Sequence, residues 1–495
     1  MNMIPMAPIG GALLLLLTHC RPVEVDPYAR IRESATDTMT VTQVRTMNRA
    51  DAPGQIRLTN PGQAGLFVLD HSDRATTDNT GIVLVTANGL RYRRQYSGPA
   101  ILSWFGATPA DDDIGPELQT AINATTGEIV IPDGVYTQRQ EVRMRSNLTL
   151  RGTPGKVTIT LPTQYVSLLN PVNTTPPLEN VLIDGISWVV AAKGKGTYGV
   201  FTIDGPTFNN ITIQNCRSTD EAAFDSTNFI TMKVQTGKTA RNIVVRNNDV
   251  RAKRMGCEIF NHDNIDVYAG KAIVVSNNSF HECKFGISLS GPLDSLTVDG
   301  NAVKNCSLYG VEIAGALRNV RVTNNRFEGQ FDKFIEGSND GFGNGEIQGG
   351  LIITGNQTVG VVVGGIQMFN AGKAQFNNNL IRMTGRLELL SPSSAGGTYE
   401  NNTIEGAATH AIICDNAPNN VFRNNIISNK AAKENFATFR AYGPKATGIL
   451  VTNNRISKGP GGTYLDAVDG ATLTATGNTN EIGTAINRNG KLNVK

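Results

Sequence analysis

Residues 296–325, LTVDGNAVKNCSLYGVEIAGALRNVRVTNN, contain the same short pattern twice. In each copy two apolar residues alternate with polar ones, and an asparagine stands three positions after the second apolar residue. Asn301 ends the first copy and Asn325 ends the second. The alternation is typical of a β-strand with one buried face, and a regular period of about 24 residues indicates stacked repeats.

The same pattern extends along most of the chain. The spacing of successive copies varies, and a basic coil of about 23 or 24 residues with insertions of six to nine explains every interval. We therefore predict a solenoid in which asparagines of successive coils bond to one another at a left-handed turn. The aligned positions are Cys216, Asn248, Asn278, Asn301, Asn325, Asn356, Asn379, Asn402, Asn425, Asn454 and Asn478. The same register places Cys283 and Cys306 in contact inside the solenoid, as thiols or as a disulfide.

The composition agrees with many short strands and tight turns. The 495 residues include 52 glycines, and aromatic residues make up only 6% of the chain. We therefore predict an all-β protein. The net charge of +3 is small for this length, so a nucleic-acid partner has no electrostatic basis.

The N-terminal region is predicted to be separate from the solenoid. Residues 1–20 read as a signal peptide or a lipoprotein signal, because the apolar run Ile9–Leu17 is too short to span a bilayer and precedes Cys20. We expect export to an extracellular, periplasmic or outer-membrane-anchored location, with lipidation at Cys20 as the only membrane attachment and simple cleavage as the alternative. Residues 21–100 are predicted to form a small β head, and residues 101–490 the solenoid domain.

The start of the solenoid shows a strand–helix–strand order. Trp104-Phe-Gly-Ala107 precedes a helical pattern, for which we expect Asp113 as the N-cap and Pro116 in the first turn. Ile129-Val-Ile-Pro-Asp-Gly-Val-Tyr136 then reads as strand, turn and strand. This order resembles the start of the pectate-lyase-like family of right-handed, single-stranded parallel β-helices, which includes phage tailspikes and bacterial surface enzymes. The resemblance implies that the helix caps the open end of the first coil.

A second strand repeats midway between the asparagine turns. Its second and fourth residues are apolar and are predicted to point inward, so its third and fifth residues should project to solvent as two ladders. The first predicted ladder is Thr231, Glu258, Ser288, Glu312, Gln367 and Glu388, and the second is Lys233, Phe260, Ser290, Ala314, Phe369, Leu390 and Asp415. In the family that the chain resembles, elongated glycans lie on such a face, which implies a polysaccharide partner.

Charged residues concentrate between residues 220 and 271, where two of the three longest intervals between the aligned positions lie. Lyase chemistry on a uronic-acid polymer needs a base and a cation that stabilises the resulting negative charge. Lys233 could be the base, with Arg254 or Arg251 as the cation, and some members of the family use Lys and Arg in these roles. His262 is an alternative base.

Hydrolysis would instead need two carboxyl groups. Glu258 and Glu312 lie on one predicted ladder with Ser288 between them, so two strand steps separate them by ~9.6 Å, at the edge of the range for inversion. The coil region lacks the paired-aspartate and Gly-His-Gly motifs of polygalacturonases and the Trp-Ile-Asp-His strand of calcium-dependent pectate lyases. The motifs therefore do not decide between the two reactions.

Two further kinds of site are predicted. Oxygen ligands suit calcium, and the candidate ligands are Asp220, Glu221, Asp225 and Asp263. For substrate binding, aromatic rings that stack on sugars are expected at Phe260 and Phe369, together with polar contacts from Arg251 and Ser288. Each exposed charge has the alternative of being a solvated surface residue.

Taken together, these patterns predict a carbohydrate-active β-helix enzyme that acts on an acidic extracellular polysaccharide, as a lyase before a hydrolase. The alternative is a non-catalytic protein of the same fold that binds glycans, either an adhesin or a surface protein similar to a tail fibre. The oligomeric state is expected to be a monomer or a trimer.

Overall fold

The computed structural model describes residues 32–48, 52–170, 176–191, 198–205, 207–221, 227–262, 267–338, 347–486 and 490–493. The predicted signal segment, with Cys20, lies outside these residues, as do Asp225 and Asp263. The chain divides into two compact units. One contains the residues up to Asp78 and Val83–Gln95, and the other contains Asn79–Ile82 and the residues from Tyr96 onward.

The first unit is a five-stranded sheet with one short helix. It contains a hairpin with Asn88-Gly89 at its turn and a φ of 84° at Gly89, which a residue without Cβ adopts readily. Phe67 and Tyr92 are fully buried in its core. The strands are Arg32–Met39, Pro53–Leu58, Gly65–Leu69, Val83–Val85 and Arg91–Arg94, and the helix is Val41–Thr46.

The second unit is a parallel β-helix with three faces, which we call sheets 1, 2 and 3 in the order in which each coil crosses them. Sheet 1 has sixteen strands and ends with one antiparallel strand. Its strands are Ala100–Ile101, Glu128–Val130, Leu148–Arg151, Leu178–Asp184, Phe208–Gln214, Ala240–Arg246, Gly270–Ser276, Leu293–Asp299, Arg318–Thr323, Gln348–Thr354, Gln375–Asn377, Thr398–Glu400, Val421–Arg423, Ile449–Thr452, Thr472–Thr476 and the antiparallel Gly490–Asn493.

Sheets 2 and 3 are joined by two long strands, Arg326–Ser338 and Gln357–Met368, which run from one face into the next. The other strands of sheet 2 are Gly134–Thr137, Val157–Leu161, Ser187–Val190, Arg217–Asp220, Asp249–Arg251, Ser279–His281, Ala302–Lys304, Leu380–Arg382, Thr403–Glu405, Ile426–Ser428 and Arg455–Ser457. The other strands of sheet 3 are Val142–Arg143, Leu168–Asn170, Gly199–Asp204, Asn228–Lys233, Met255–Phe260, Phe285–Ser290, Tyr309–Ala314, Leu387–Leu390, Ile412–Asp415, Phe439–Tyr442 and Leu465–Val468.

The core lies inside the coils and is apolar. On sheet 3, Ile287 and Leu289 of one coil stack on Val311 and Ile313 of the next, and all four side chains are fully buried. These are the second and fourth strand positions that the sequence pattern predicted to point inward. The remaining positions of each strand therefore face away from the core, which creates the surface discussed below.

The asparagine ladder is present at the corner between sheets 1 and 2. Each backbone N–H donates to the side-chain Oδ1 of the corresponding asparagine in the next coil, over 2.8 to 3.0 Å. The predicted left-handed turn belongs to the preceding residue instead, for example Asn324, with a φ of 55°, rather than Asn325. Gly300 and Gly355 take that place in other coils. The second residue of each pair is thus free to turn its amide inward, where the ladder is buried.

The capping helix spans Gly115–Ala124, one residue later than predicted. Ile114 is the N-cap, and Asp113 accepts a hydrogen bond from the N–H of Gly115 over 2.8 Å. The helix packs against the 3-10 turn Leu102–Phe105 and the strand Val142–Arg143 at the start of the solenoid. Its buried residues include Leu118, Ala121 and Ile122, which share one face of the helix. A second 3-10 turn spans Pro392–Ser394.

The five cysteines in the described part of the chain are buried thiols. Cys283 and Cys306 occupy the same inward position in adjacent coils, and burial together with the neighbouring Cys283 raises the pKa of Cys306. Burial raises the pKa of both Cys257 and Cys414, as expected for thiols that only fill core space. No helix among the described residues is long and apolar enough to cross a membrane.

Candidate functional site

A row of polar side chains runs along the outer face of sheet 3, and we call it the glutamate ladder. The strand register links its members in consecutive coils, as the sequence pattern predicted. Its members are Thr202, Thr231, Glu258, Ser288, Glu312, Glu336, Gln367 and Glu388. The sequence analysis missed Glu336, although it follows Glu312 at the same spacing at which Asn325 follows Asn301.

The ladder is less exposed to solvent than the alternation predicted. Glu258, Ser288 and Glu336 retain only 7%, 3% and 3% of their accessible surface. These side chains do not face the core, since the residues that alternate with them fill it. The ladder is therefore recessed rather than an open face, and we call this recessed strip the groove. The carboxyl groups of Glu258 and Glu336 are largely shielded from water there.

Glu258 is a ladder residue whose carboxyl group has a strongly shifted pKa. Its Oε2 accepts hydrogen bonds from Asn228 Nδ2 over 2.8 Å and from Thr231 Oγ1 over 3.3 Å. Burial raises the pKa of Glu258 to about 7, and the negative charge of Glu312 adds to this effect. A carboxyl group with this pKa exchanges a proton readily near neutral pH, which is the property of a general acid or base.

Arg254, predicted as the charge-stabilising cation of a lyase reaction with Lys233 as base, instead acts electrostatically on Glu258 in the structure. Its charge lowers the pKa of Glu258, opposing burial, and its Nη1 lies 3.5 Å from the Oδ1 of Asn228. Asn228 therefore connects the two charged groups. Asn228 is not among the site residues predicted from the sequence. It is the first residue of its strand and precedes Thr231 and Lys233, the positions assigned to the two ladders.

Glu312 lies two strands beyond Glu258, with Ser288 between them. The hydroxyl of Ser288 donates to Oε2 of Glu312 over 2.5 Å. Glu336 follows on the next strand, at the ordinary strand spacing of ~4.8 Å between backbones. The groove thus offers carboxyl pairs at two separations, one strand step between Glu312 and Glu336 and two steps between Glu258 and Glu312.

The second predicted ladder lies beside the first. Lys233, Phe260 and Ser290 follow one another in adjacent coils. His262 stacks on Phe260 with ring centroids 4.5 Å apart, and its Nε2 lies 2.9 Å from Ser290 Oγ. Phe369 immediately follows the strand Gln357–Met368, four coils further along. Lys233, Phe260 and His262 therefore border the part of the groove that holds Glu258, while Phe369 lies near Glu388.

A pair of aromatic rings borders the opposite side of the groove. Phe285 and Tyr309 are neighbours in adjacent strands, three residues before Ser288 and Glu312, and both are half-buried. Their ring centroids are 5.4 Å apart at an interplanar angle of 83°. The sequence analysis missed this pair, because it treated only the third and fifth positions of each strand as outward-facing.

The groove continues past Glu336 into a cavity of about 280 Å³. Its lining includes Lys333, which follows Tyr309 in register, and Glu388 of the ladder, which accepts a hydrogen bond from Arg386. The full lining is Asp332, Lys333, Gly364, Gly365, Thr384, Gly385, Arg386, Glu388 and Thr409. Glu388 of the glutamate ladder and Lys333, which is in register with Tyr309, therefore line the same cavity.

Arg251 is not part of this groove. It lies on the strand Asp249–Arg251 of sheet 2, where its Nε is 2.8 Å from Glu282, in a separate cavity of about 490 Å³. Arg254 follows it closely in the sequence, but the chain turns the corner between sheets 2 and 3 before reaching that residue. Arg251 and Lys233 therefore lie on different faces, and the prediction that they share a site is wrong.

The two predicted calcium ligands that the structure describes, Asp220 and Glu221, have different environments. Asp220 is buried against Lys253, and Thr227 Oγ1 donates to Asp220 Oδ2 over 2.7 Å. Burial raises the pKa of Asp220 and lowers the pKa of Lys253, while their mutual attraction opposes both shifts. Glu221 is exposed, and the described residues contain no group of three or more acidic, His or Cys side chains arranged to hold a metal ion. The calcium site stays a prediction.

Three family models match consecutive parts of the sequence. Residues 38–97 match the phage tail protein small four-stranded β-sheet domain. Residues 105–312 match the rhamnogalacturonase A/epimerase, pectate lyase-like family, and residues 341–487 match the right-handed β-helix region. These matches confirm the predicted fold, a right-handed parallel β-helix solenoid with a small N-terminal β module. No curated protein matches the sequence.

Solved structures with a similar fold include three phage proteins. The gp42 tailspike of Acinetobacter phage vb_AbaP_AS12 has 11% identity and a TM-score of 0.50, over 89% of this chain and 74% of that one. The N-terminal fragment of bacteriophage Phi29 gene product 12 has 13% identity and a TM-score of 0.53, over 78% and 71%. The tailspike of Acinetobacter baumannii phage AM24 has 16% identity and a TM-score of 0.44, over 77% of this chain. This chain spans only 64% of that tailspike, and at these identities the similarity concerns the fold alone.

Proposed function

We propose that this chain, a right-handed parallel β-helix protein of the pectate-lyase-like type, cleaves a polysaccharide that lies in the groove of sheet 3. The observation that carries the proposal is Glu258, a shielded carboxyl group with a pKa raised to about 7, on the same ladder as Glu312. This combination favours hydrolysis over the lyase reaction that the sequence alone favoured.

In this proposal Glu258 is the general acid. Asn228 and Thr231 hold its Oε2 through hydrogen bonds, and burial keeps a proton on the carboxyl group near neutral pH. It would donate that proton to the glycosidic oxygen as the bond to the leaving sugar breaks. Arg254 prevents the pKa from rising further, so that the carboxyl group can still give up its proton near neutral pH.

Glu312 is proposed as the base that activates water. Two strand steps place its backbone ~9.6 Å from that of Glu258, close to the separation of inverting enzymes, which leaves room for one water molecule. The hydroxyl of Ser288 orients its carboxylate. The expected stereochemical outcome is therefore inversion at the anomeric carbon.

The reaction can be tested with the whole protein and a panel of alginate, pectate, glycosaminoglycans and neutral glucans. New reducing ends without unsaturated uronic products indicate hydrolysis, whereas both signals together indicate the lyase reaction. We expect Glu258→Gln and Glu312→Gln to lower kcat by at least roughly 100-fold. Glu282→Gln, on sheet 2, is the control and should retain activity. Full activity in both ladder variants would overturn the assignment, and running each assay with and without a chelator tests the predicted calcium requirement.

A second candidate is a phage tail protein that binds glycans without cutting them, and the match of residues 38–97 to a phage tail domain favours it. The two candidates share the partner and the groove, and they place the protein outside the cell. Measurable binding of the unmodified protein to a polysaccharide, with no new reducing ends on any polymer of the panel, would favour the second. Mass spectrometry of the exported chain would show whether Cys20 carries a lipid.

A further inference from the structure

The aromatic pair Phe285 and Tyr309 has no role in the core. The inside of these coils is already filled by Ile287 and Val311, which are fully buried, whereas both rings remain half-exposed. Apolar ring surface left in water is unfavourable, and aromatic residues at such places commonly serve as contacts for a ligand.

Phe285 and Tyr309 belong to a row of residues that are in register in consecutive coils. Two other members of this row lie close to the glutamate ladder. In the two preceding coils, Asn228 and the buried Met255 occupy the equivalent position, and Asn228 donates a hydrogen bond to Glu258. In the following coil, Lys333 occupies it and lines the same cavity as Glu388. Since both ends of the row face the groove, the two rings between them border it as well.

We propose that Phe285 and Tyr309 form a subsite that holds one uncharged sugar ring of a neutral polysaccharide beside Ser288 and Glu312. This inference rests on the proposed function and names the class of its substrate. The near-perpendicular rings, 5.4 Å apart, offer the face of one ring and the edge of the other to the apolar side of a pyranose.

The charge of the ladder determines the class of sugar. A ring on this pair would lie beside Glu312 and one strand step, ~4.8 Å, from Glu336. A uronate there would bring its own carboxylate close to two others, and like charges at this distance repel. A neutral sugar instead offers hydroxyl groups that donate to carboxylates. We therefore expect a neutral polymer in this subsite, in place of the acidic polymer predicted from the sequence.

The test separates binding from cleavage. Glu258→Gln serves as the parent, because the change removes the proposed acid and leaves the ring pair intact. Its affinity is measured by affinity electrophoresis for dextran, mixed-linkage β-glucan and galactomannan as neutral probes, and for alginate and pectate as uronate probes. We expect binding to at least one neutral probe and weaker binding to both uronates. Absence of binding to every neutral probe, or preference for a uronate, overturns the proposal.

In the same parent, Phe285→Ala and Tyr309→Ala are each expected to weaken binding of the neutral probe by roughly 3- to 10-fold. Tyr309→Phe keeps the ring and should bind as the parent does, which separates stacking from a loss of folding. Tyr442→Ala, an exposed aromatic residue further along sheet 3, is the control and should have no effect. Unchanged affinity in both alanine variants overturns the subsite. Retained binding with no turnover in the unmodified protein would refute the proposed hydrolysis alone.

Discussion

Replacing Glu258 with glutamine should make the free energy of unfolding less dependent on pH. Burial raises the pKa of Glu258 from 4.5 to about 7, so between these values the folded chain holds a proton that the unfolded chain has released. The stability contributed by this proton is fully present below pH 4.5 and is lost as the pH rises through about 7. The difference between the two pKa values, at ~1.4 kcal/mol for each pH unit, corresponds to roughly 3 kcal/mol.

The assay is guanidinium unfolding of the wild type and the Glu258→Gln variant at several pH values from about pH 4 to about pH 8. The stability of the variant relative to the wild type should rise by ~3 kcal/mol across this interval, because glutamine does not titrate. Glu328→Gln is the matched control. A hydrogen bond from Lys304 lowers the pKa of Glu328 below 4.5, so its replacement should not change the pH dependence of stability well above pH 4.5, where the Glu258 effect appears. A constant difference between the Glu258 variant and the wild type would refute the raised pKa and, with it, the assignment of the general acid.

Three further changes have defined outcomes. Arg254→Gln removes the charge that lowers the pKa of the proposed acid, so the basic limb of the activity–pH profile should move to higher pH. Asn325→Ala loses four ladder hydrogen bonds and should cost roughly 2–5 kcal/mol in guanidinium unfolding, whereas Asn324→Gly should cost less than ~1 kcal/mol, because glycine occupies that position in other coils. Lys253→Met should cost roughly 3–5 kcal/mol by leaving a carboxylate buried alone, and adding Asp220→Leu should restore most of that loss by the same measurement.

The sequence predicted the fold well because the determinants of a solenoid are local and repeated. The length of the repeat sets the strand register, and the register alone places Glu258, Ser288 and Glu312 in one row. The same reasoning would have found Glu336 from its distance to Glu312. It was missed because the strand Arg326–Ser338 continues through a corner and hides the usual strand start.

The candidate site was less predictable because it depends on corners and contacts, which a repeat pattern does not specify. Arg251 and Arg254 are close in sequence but lie on different faces, since the chain turns between them. Asp220 was read as a metal ligand, but it is buried against Lys253, which the next coil supplies. Burial also raises the pKa of Glu258. How far an outward-facing side chain is buried depends on the depth of the groove, and the alternation of apolar and polar residues in a strand does not reveal that depth.

The corner between sheets 1 and 2 limits where the chain can grow. From Gln214 to Arg455, two residues always connect a strand of sheet 1 to the following strand of sheet 2, and the second of them supplies the ladder group. Most extra residues of the longer coils fall at the other two corners, as between Ser428 and Phe439, and one lies in a bulge of the strand Gln348–Thr354. Inserted peptides or new recognition loops should therefore be tolerated at those two corners, next to the groove. A single residue added at the corner between sheets 1 and 2 would instead break the hydrogen bonds of the asparagine ladder between two coils. An architecture of this kind lets specificity change without redesign of the scaffold.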